Sequence, residues 1–116
     1  MTLALILFGI AALGGIVLAV LRLRGAALPP MGLAIVHGLL GAAGLVALIL
    51  AIVNAQTPAL AKTALIGFLI AALGGFALFS FHLRRKALPI PLMVIHALVA
   101  VISFVILILA FMSVRA

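Results

Sequence analysis

Long apolar stretches alternate with short polar or proline-containing segments along the whole chain. Four of the stretches, residues 3–21, 31–53, 60–81 and 91–112, approach or exceed the roughly 20 residues that a helix needs to span a bilayer. Prolines or basic residues bound the stretches, and a proline suits the first turn of a helix because the N–H it lacks would be unpaired there. The pattern therefore predicts four transmembrane helices and an all-α membrane fold.

The first half of the chain is repeated in the second half. Residues 4–29 align with residues 64–89 at an offset of 60, and the longest identical run is residues 10–15 against residues 70–75. A one-residue deletion then shifts the offset to 59 and pairs His37 with His96. Each copy holds two spans, so both copies share one orientation. We predict a four-helix bundle of two hairpin repeats, residues 1–58 and 59–116, related by a pseudo-two-fold axis along the membrane normal.

Composition supports a membrane location and argues against several functions. The chain is 71% hydrophobic, with seven Lys or Arg, three His and no Asp or Glu. A soluble domain of this length cannot bury so much apolar surface. The basic residues lie in short runs between the apolar stretches, so the net charge of +7 does not indicate nucleic-acid binding. Without a carboxylate or a Cys, hydrolytic and transferase sites are not expected, and redox chemistry is the most that we expect of an enzyme.

The distribution of basic residues predicts the orientation in the membrane. Residues 22–30 and 82–90 contain five of the seven cations, whereas the opposite side has Lys62 and Arg115 only. Because basic residues concentrate in cytoplasmic loops, both of these loops are predicted to face the cytoplasm, with both termini outside. We expect a bacterial inner membrane, with the termini in the periplasm.

Two histidines are the leading candidates for a functional role, because ionisable residues within a membrane are rare and costly. His37 and His96 are predicted at equal depth on the second and fourth helices, on the order of 10 Å below the cytoplasmic edge. The glycine pairs Gly14-Gly15 and Gly74-Gly75 lie at roughly that depth on the first and third helices. Two axial imidazoles and two glycine pairs would form a slot for a flat macrocycle, and we predict haem b.

The surroundings of the histidines leave alternatives open. The cationic loops could pair with the propionates of the haem through Arg22, Arg24, Arg84 or Arg85, and Arg24 and Arg84 are the predicted site residues. A ligating His usually donates its other N–H, and here only the backbone or a hydroxyl such as Ser80 could accept it. Alternatively, the histidines are hydrogen-bonding packing residues and the glycines mark close helix contacts. His82 aligns with Arg22 at the rim and is interpreted as an interfacial polar residue.

Paired histidines in a small four-helix membrane bundle resemble the cytochrome b561-like and related b-type membrane cytochromes. The resemblance is carried by residues 37–41 (HGLLG) and 96–100 (HALVA). It implies one haem b with bis-histidine ligation, and electron transfer from or to a quinone or a redox partner protein. Many proteins of this kind carry two haems on four histidines, whereas this sequence has an intramembrane pair for only one.

Two functions of other classes stay open at this stage. A non-catalytic accessory subunit of a larger membrane complex, or a homo-oligomer, would use the helix faces as its interaction surface, since almost no mass lies outside the apolar stretches. A small transporter is the weaker alternative. Small multidrug exporters of this size rely on a buried carboxylate, which this chain lacks.

Overall fold

The computed structural model describes all 116 residues and consists of four α-helices. They are α1 (Thr2–Leu23), α2 (Met31–Asn54), α3 (Ala59–Leu83) and α4 (Ile90–Ser113). With 22 to 25 residues each, the helices are roughly 33 to 38 Å long, which is enough to cross a bilayer. The four predicted helices are confirmed, and each extends the predicted stretch by one or two residues at one or both ends.

Prolines set the starts of three helices. Pro30, Pro58 and Pro89 are the N-cap residues of α2, α3 and α4, and Pro91 lies in the first turn of α4. The missing N–H of a proline has no intrahelical partner at these positions, so each proline starts a helix at little cost.

The ends of α1 and α3 share one backbone turn. The residue after each C-cap has a left-handed backbone, with φ of 111° at Gly25 and 55° at Arg85. The N–H of the following residue then bonds back to a carbonyl five residues earlier, which satisfies a free carbonyl of the last helical turn. Arg85 bears the strain of a side chain in this conformation, and its cation lies near the negative end of the α3 dipole.

The helices form two hairpins that lie side by side in a rod of 44 × 19 × 19 Å. α1 packs mainly against α2 and α3 mainly against α4, while the α1–α4 and α2–α3 contacts between the hairpins are less extensive. α1 and α3 lie on one diagonal of the bundle, and α2 and α4 lie on the other. We call the end with residues 24–30 and 84–89 the loop end, and the end with both chain termini and residues 55–58 the terminal end.

The larger of two buried apolar clusters lies in the terminal half of the bundle. The rings of Phe8 and Phe68 stack across the hairpin boundary with centroids 3.7 Å apart and planes 4° apart. Gly44 makes room for this stack, because a Cβ at that position would lie 2.8 Å from Cε1 of Phe8. The cluster consists of Ala4, Phe8, Leu48, Ala64, Phe68 and Leu107.

Three hydrogen bonds join the two hairpins at the loop end. The Leu88 N–H donates to the Ala27 carbonyl at 3.1 Å, so the two loops pair directly. Arg22 Nε donates to the Leu88 carbonyl at 2.9 Å, and His82 Nε2 donates to the Pro29 carbonyl at 3.1 Å. We call these the cross-hairpin bonds. The two side-chain bonds hold the C-terminal ends of α1 and α3 against the loop of the other hairpin.

The outer surface of the bundle is almost entirely apolar along the helices. Only 17 of the 116 residues are buried, and large side chains such as Phe76 and Leu73 are about 70% exposed. Lipid suits such a surface, whereas water does not. All four helices are long and apolar enough to cross a membrane, which indicates an integral membrane protein.

Candidate functional site: the His37–His96 pair

Each candidate histidine is held by the neighbouring helix of its own hairpin. Nδ1 of His37 lies 2.8 Å from the carbonyl oxygen of Ala11 on α1, and Nδ1 of His96 lies 2.8 Å from that of Ala71 on α3. Since a carbonyl oxygen can only accept, Nδ1 carries the proton in both rings. In a neutral imidazole this leaves the lone pair on Nε2, the nitrogen free to bind a metal.

The glycine pairs explain why these carbonyls can accept a second hydrogen bond. In a helix, the carbonyl of residue i points toward residues i+3 and i+4, which for Ala11 are Gly14 and Gly15. With no side chains there, the imidazole of His37 lies directly on the helix backbone: a Cβ on Gly15 would be 3.0 Å from its Cε1. Gly74 and Gly75 uncover the carbonyl of the other hairpin in the same way, with a Gly75 Cβ 3.3 Å from Cε1 of its histidine. The glycines therefore allow the rings to pack against the helix backbone, and the rings fill the space that the glycines leave.

The two rings meet near the axis of the bundle although they come from diagonal helices. Their centroids are 6.2 Å apart and their planes are 82° apart. They make no hydrogen bond to each other, and Nε2 of each ring has no protein partner. A metal ion held by two imidazole nitrogens at about 2 Å each keeps the ring centroids roughly 6 Å apart. The distance between the two centroids therefore equals that of two imidazoles that bind one metal ion.

The layer that contains the rings is less closed than the layers on either side. His37, His96 and the four glycines are only half-buried, whereas Ala11 on the terminal side and Met93 on the loop side are buried. An apolar groove of about 220 Å³ between α1 and α4 runs past this layer. Its lining residues are Ala19, Leu23, Met93, Val94, Ala97, Leu98 and Val101.

Arg24 and Arg84, two of the predicted propionate partners, lie away from this layer. Arg24 and Arg84 are exposed C-cap residues at the loop end. Arg84 lies over the Phe81 ring, 4.6 Å from its centroid, and donates to the backbone and side chain of Ser80. Ser80 itself donates to a carbonyl of its own helix, so the backbone and not this hydroxyl accepts the imidazole protons.

His82 is the polar residue whose burial the sequence does not predict. It lies at the loop end, where its side chain is 7% exposed and its Nδ1 is buried without a hydrogen-bond partner. The spacing contained a signal: His82 is seven residues after Gly75, and Arg22 is seven after Gly15. Residues seven apart share a helix face, so both side chains point toward the boundary between the hairpins.

We expect Gly15→Ala to destabilise the fold, because its methyl group would enter the space of the His37 ring. Overpacking of this kind typically costs about 1–3 kcal/mol. Gly38→Ala is the matched control, since a Cβ at Gly38 meets nothing within 4 Å. Thermal unfolding in mild detergent should show a lower midpoint for the first variant alone. Equal midpoints would mean that the ring does not need the glycine.

The fold and the site together define an all-helical protein with four helices able to cross a membrane and a histidine pair in its interior. No third His, Cys, Asp or Glu joins the pair to form a larger cluster of metal-binding side chains. Comparisons with protein-family models, with curated proteins and with solved structures find no match to this chain.

Proposed function

We propose that this protein is a small membrane electron carrier in which His37 and His96 hold one haem b between the two hairpins. The observation that carries the proposal is the geometry of the pair: two rings anchored through Nδ1, with Nε2 unpartnered and centroids 6.2 Å apart. A ligating histidine characteristically donates its second N–H to a carbonyl or a carboxylate, which fixes both the tautomer and the ring orientation.

Different residues of the chain would have different roles in such a site. The carbonyls of Ala11 and Ala71 hold the imidazoles in the tautomer that binds metal, and the glycine pairs let the rings reach these carbonyls. A bound haem would supply one-electron exchange, and the exchange partner would be a quinone or a redox protein within the membrane.

We also infer that the hairpins are tandem repeats related by a pseudo-two-fold axis along the membrane normal. Equivalent positions make equivalent contacts, as with the two imidazole–carbonyl bonds and the Phe8–Phe68 stack. The excess of cations at the loop end favours a cytoplasmic position for that end, with both termini on the outer side of a bacterial inner membrane.

A haem titration of the purified protein in neutral detergent tests this function. We expect saturation at one haem per chain and the absorption spectrum of a six-coordinate, low-spin haem with two nitrogen ligands. The double variant His37→Ala/His96→Ala in the same detergent measures non-specific uptake. Binding without a defined stoichiometry, or a five-coordinate spectrum, would contradict the proposal.

A further inference from the structure

The apolar groove between α1 and α4 reaches the loop end of the bundle, where a cation lies beside it. Ala19 and Leu23 line the groove from α1, and Arg22 shares their helix face. Arg22 Nε donates to the carbonyl of Leu88, which lies in the loop directly before α4. The guanidinium therefore joins the two helices that form the groove. Its terminal nitrogens make no hydrogen bond within the chain and are not buried.

The groove has the length and the lining that part of an acyl chain requires. On α4 it extends from Val94 to Val101, which corresponds to about 10 Å along the helix. The hydrocarbon of one leaflet is about 15 Å thick, so the groove covers most of that depth from the loop end inward. All of its lining residues are hydrophobic, and lipid chains are the apolar molecules that surround a membrane protein.

The boundary between α2 and α3 differs from the α1–α4 boundary at two equivalent positions. At the offset of 60, Phe79 takes the place of Ala19 and His82 takes the place of Arg22. The rings of Phe79 and His82 stack with centroids 6.2 Å apart, and His82 is buried. The α1–α4 boundary has a methyl group in place of the phenyl ring and an accessible cation in place of the buried imidazole. The small side chain and the accessible cation therefore occur together only at the α1–α4 boundary.

We propose that the α1–α4 groove binds one anionic phospholipid, with an acyl chain against Ala19 and Ala97 and the phosphate at Arg22. The site does not depend on the proposed haem. Because the chain has no Asp or Glu, the guanidinium has no carboxylate of its own to pair with, and phosphate oxygens suit its planar terminal nitrogens. The contacts between α1 and α4 are among the less extensive in the bundle, so the lipid would join the two hairpins where they pack least.

The test compares dioleoyl phosphatidylglycerol with dioleoyl phosphatidylcholine, which share their acyl chains and differ in headgroup charge. Native mass spectrometry of the purified protein in neutral detergent gives both affinities, and their ratio is insensitive to a general loss of stability. Arg24→Gln removes an exposed cation at the same end of the bundle and is the matched control. We expect the wild type and this control to prefer phosphatidylglycerol about tenfold, as for a charge-assisted hydrogen bond, and Arg22→Gln to lose the preference. Arg22→Lys, which keeps the charge without the Nε bond, should retain part of it.

Ala19→Phe tests the groove separately from the charge, because it gives α1 the side chain of the equivalent position on α3. Val17→Phe adds the same ring on the exposed side of α1 and is the control. We expect Ala19→Phe to bind phosphatidylglycerol about tenfold more weakly although every cation remains, since the ring occupies the space of the acyl chain. Val17→Phe should bind it as the wild type does.

Four results would overturn the proposal. Equal losses in Arg22→Gln and Arg24→Gln would mean that the cationic end attracts anionic lipid without a defined site. Equal losses in Arg22→Gln and Arg22→Lys would mean that the bond to the Leu88 carbonyl matters and the charge does not. Unchanged binding in Ala19→Phe would mean that no acyl chain occupies the groove. Inorganic phosphate that raises the thermal midpoint through Arg22 as much as phosphatidylglycerol does would assign the guanidinium to a free anion.

Discussion

The variants His37→Ala and His96→Ala should each stay folded and lose stable haem binding. Each removes one of two nitrogens whose rings are held 6.2 Å apart, so a single ligand would be left on one side of the metal ion. We expect the six-coordinate spectrum to disappear and any residual haem to be lost on gel filtration. Helicity should persist, because neither ring belongs to the buried Phe8–Phe68 cluster.

Ser103→Ala is the control for this prediction. Ser103 lies on α4, seven residues after His96, is buried, and donates only within its own helix, to the Val99 carbonyl. The variant removes a polar group from the same helix face without touching the rings, so haem binding should be retained. Free imidazole should restore the six-coordinate spectrum of His96→Ala by occupying the space of the missing ring. Full haem retention in either histidine variant would exclude the pair as axial ligands.

A large loss of stability is expected from Phe8→Ala. The ring stacks on Phe68 at 3.7 Å and is 6% exposed in the centre of the terminal-half core. Removal of such a ring costs about 3–5 kcal/mol in soluble proteins, but part of that is transfer from water. In a membrane the hydrocarbon is as apolar as the core, so mainly the lost packing contributes. We therefore expect a decrease of about 2 kcal/mol in the free energy of unfolding.

Unfolding in mixed detergent and dodecyl sulfate measures this change. Phe68→Ala should have a similar effect, because the two rings form one stack. Phe76→Ala is the control, since Phe76 is 72% exposed on the outer surface, and it should change stability little. Equal effects at Phe8 and Phe76 would mean that the stack does not hold the hairpins together.

The helices were predictable because their signals are local. An apolar stretch of bilayer length, a proline at its start and a charge at its end each act within a few residues, and the observed ends differ from the predicted ones by at most two residues. The repeat extended the prediction to equal depths for His37 and His96. The prediction of equal depth does not require knowing which helices are neighbours.

The remaining features depend on contacts between hairpins, which a single sequence does not specify. Nothing in the composition around His82 shows that its ring crosses to the Pro29 carbonyl, since that bond needs the loop of the other hairpin in place. The sequence alone does not decide whether the backbone or a hydroxyl accepts the imidazole proton. The answer, the Ala11 carbonyl, follows from Gly14 and Gly15 only once α1 and α2 are packed together.

The absorption spectrum of the protein purified from its own membranes, oxidised and then reduced, tests the central claim most directly. We expect a Soret band that shifts and sharpens on reduction, with one haem b per chain and a signature of bis-imidazole ligation. A folded, monodisperse protein that is colourless and takes up no haem would contradict it. The histidines would then be packing residues between helices.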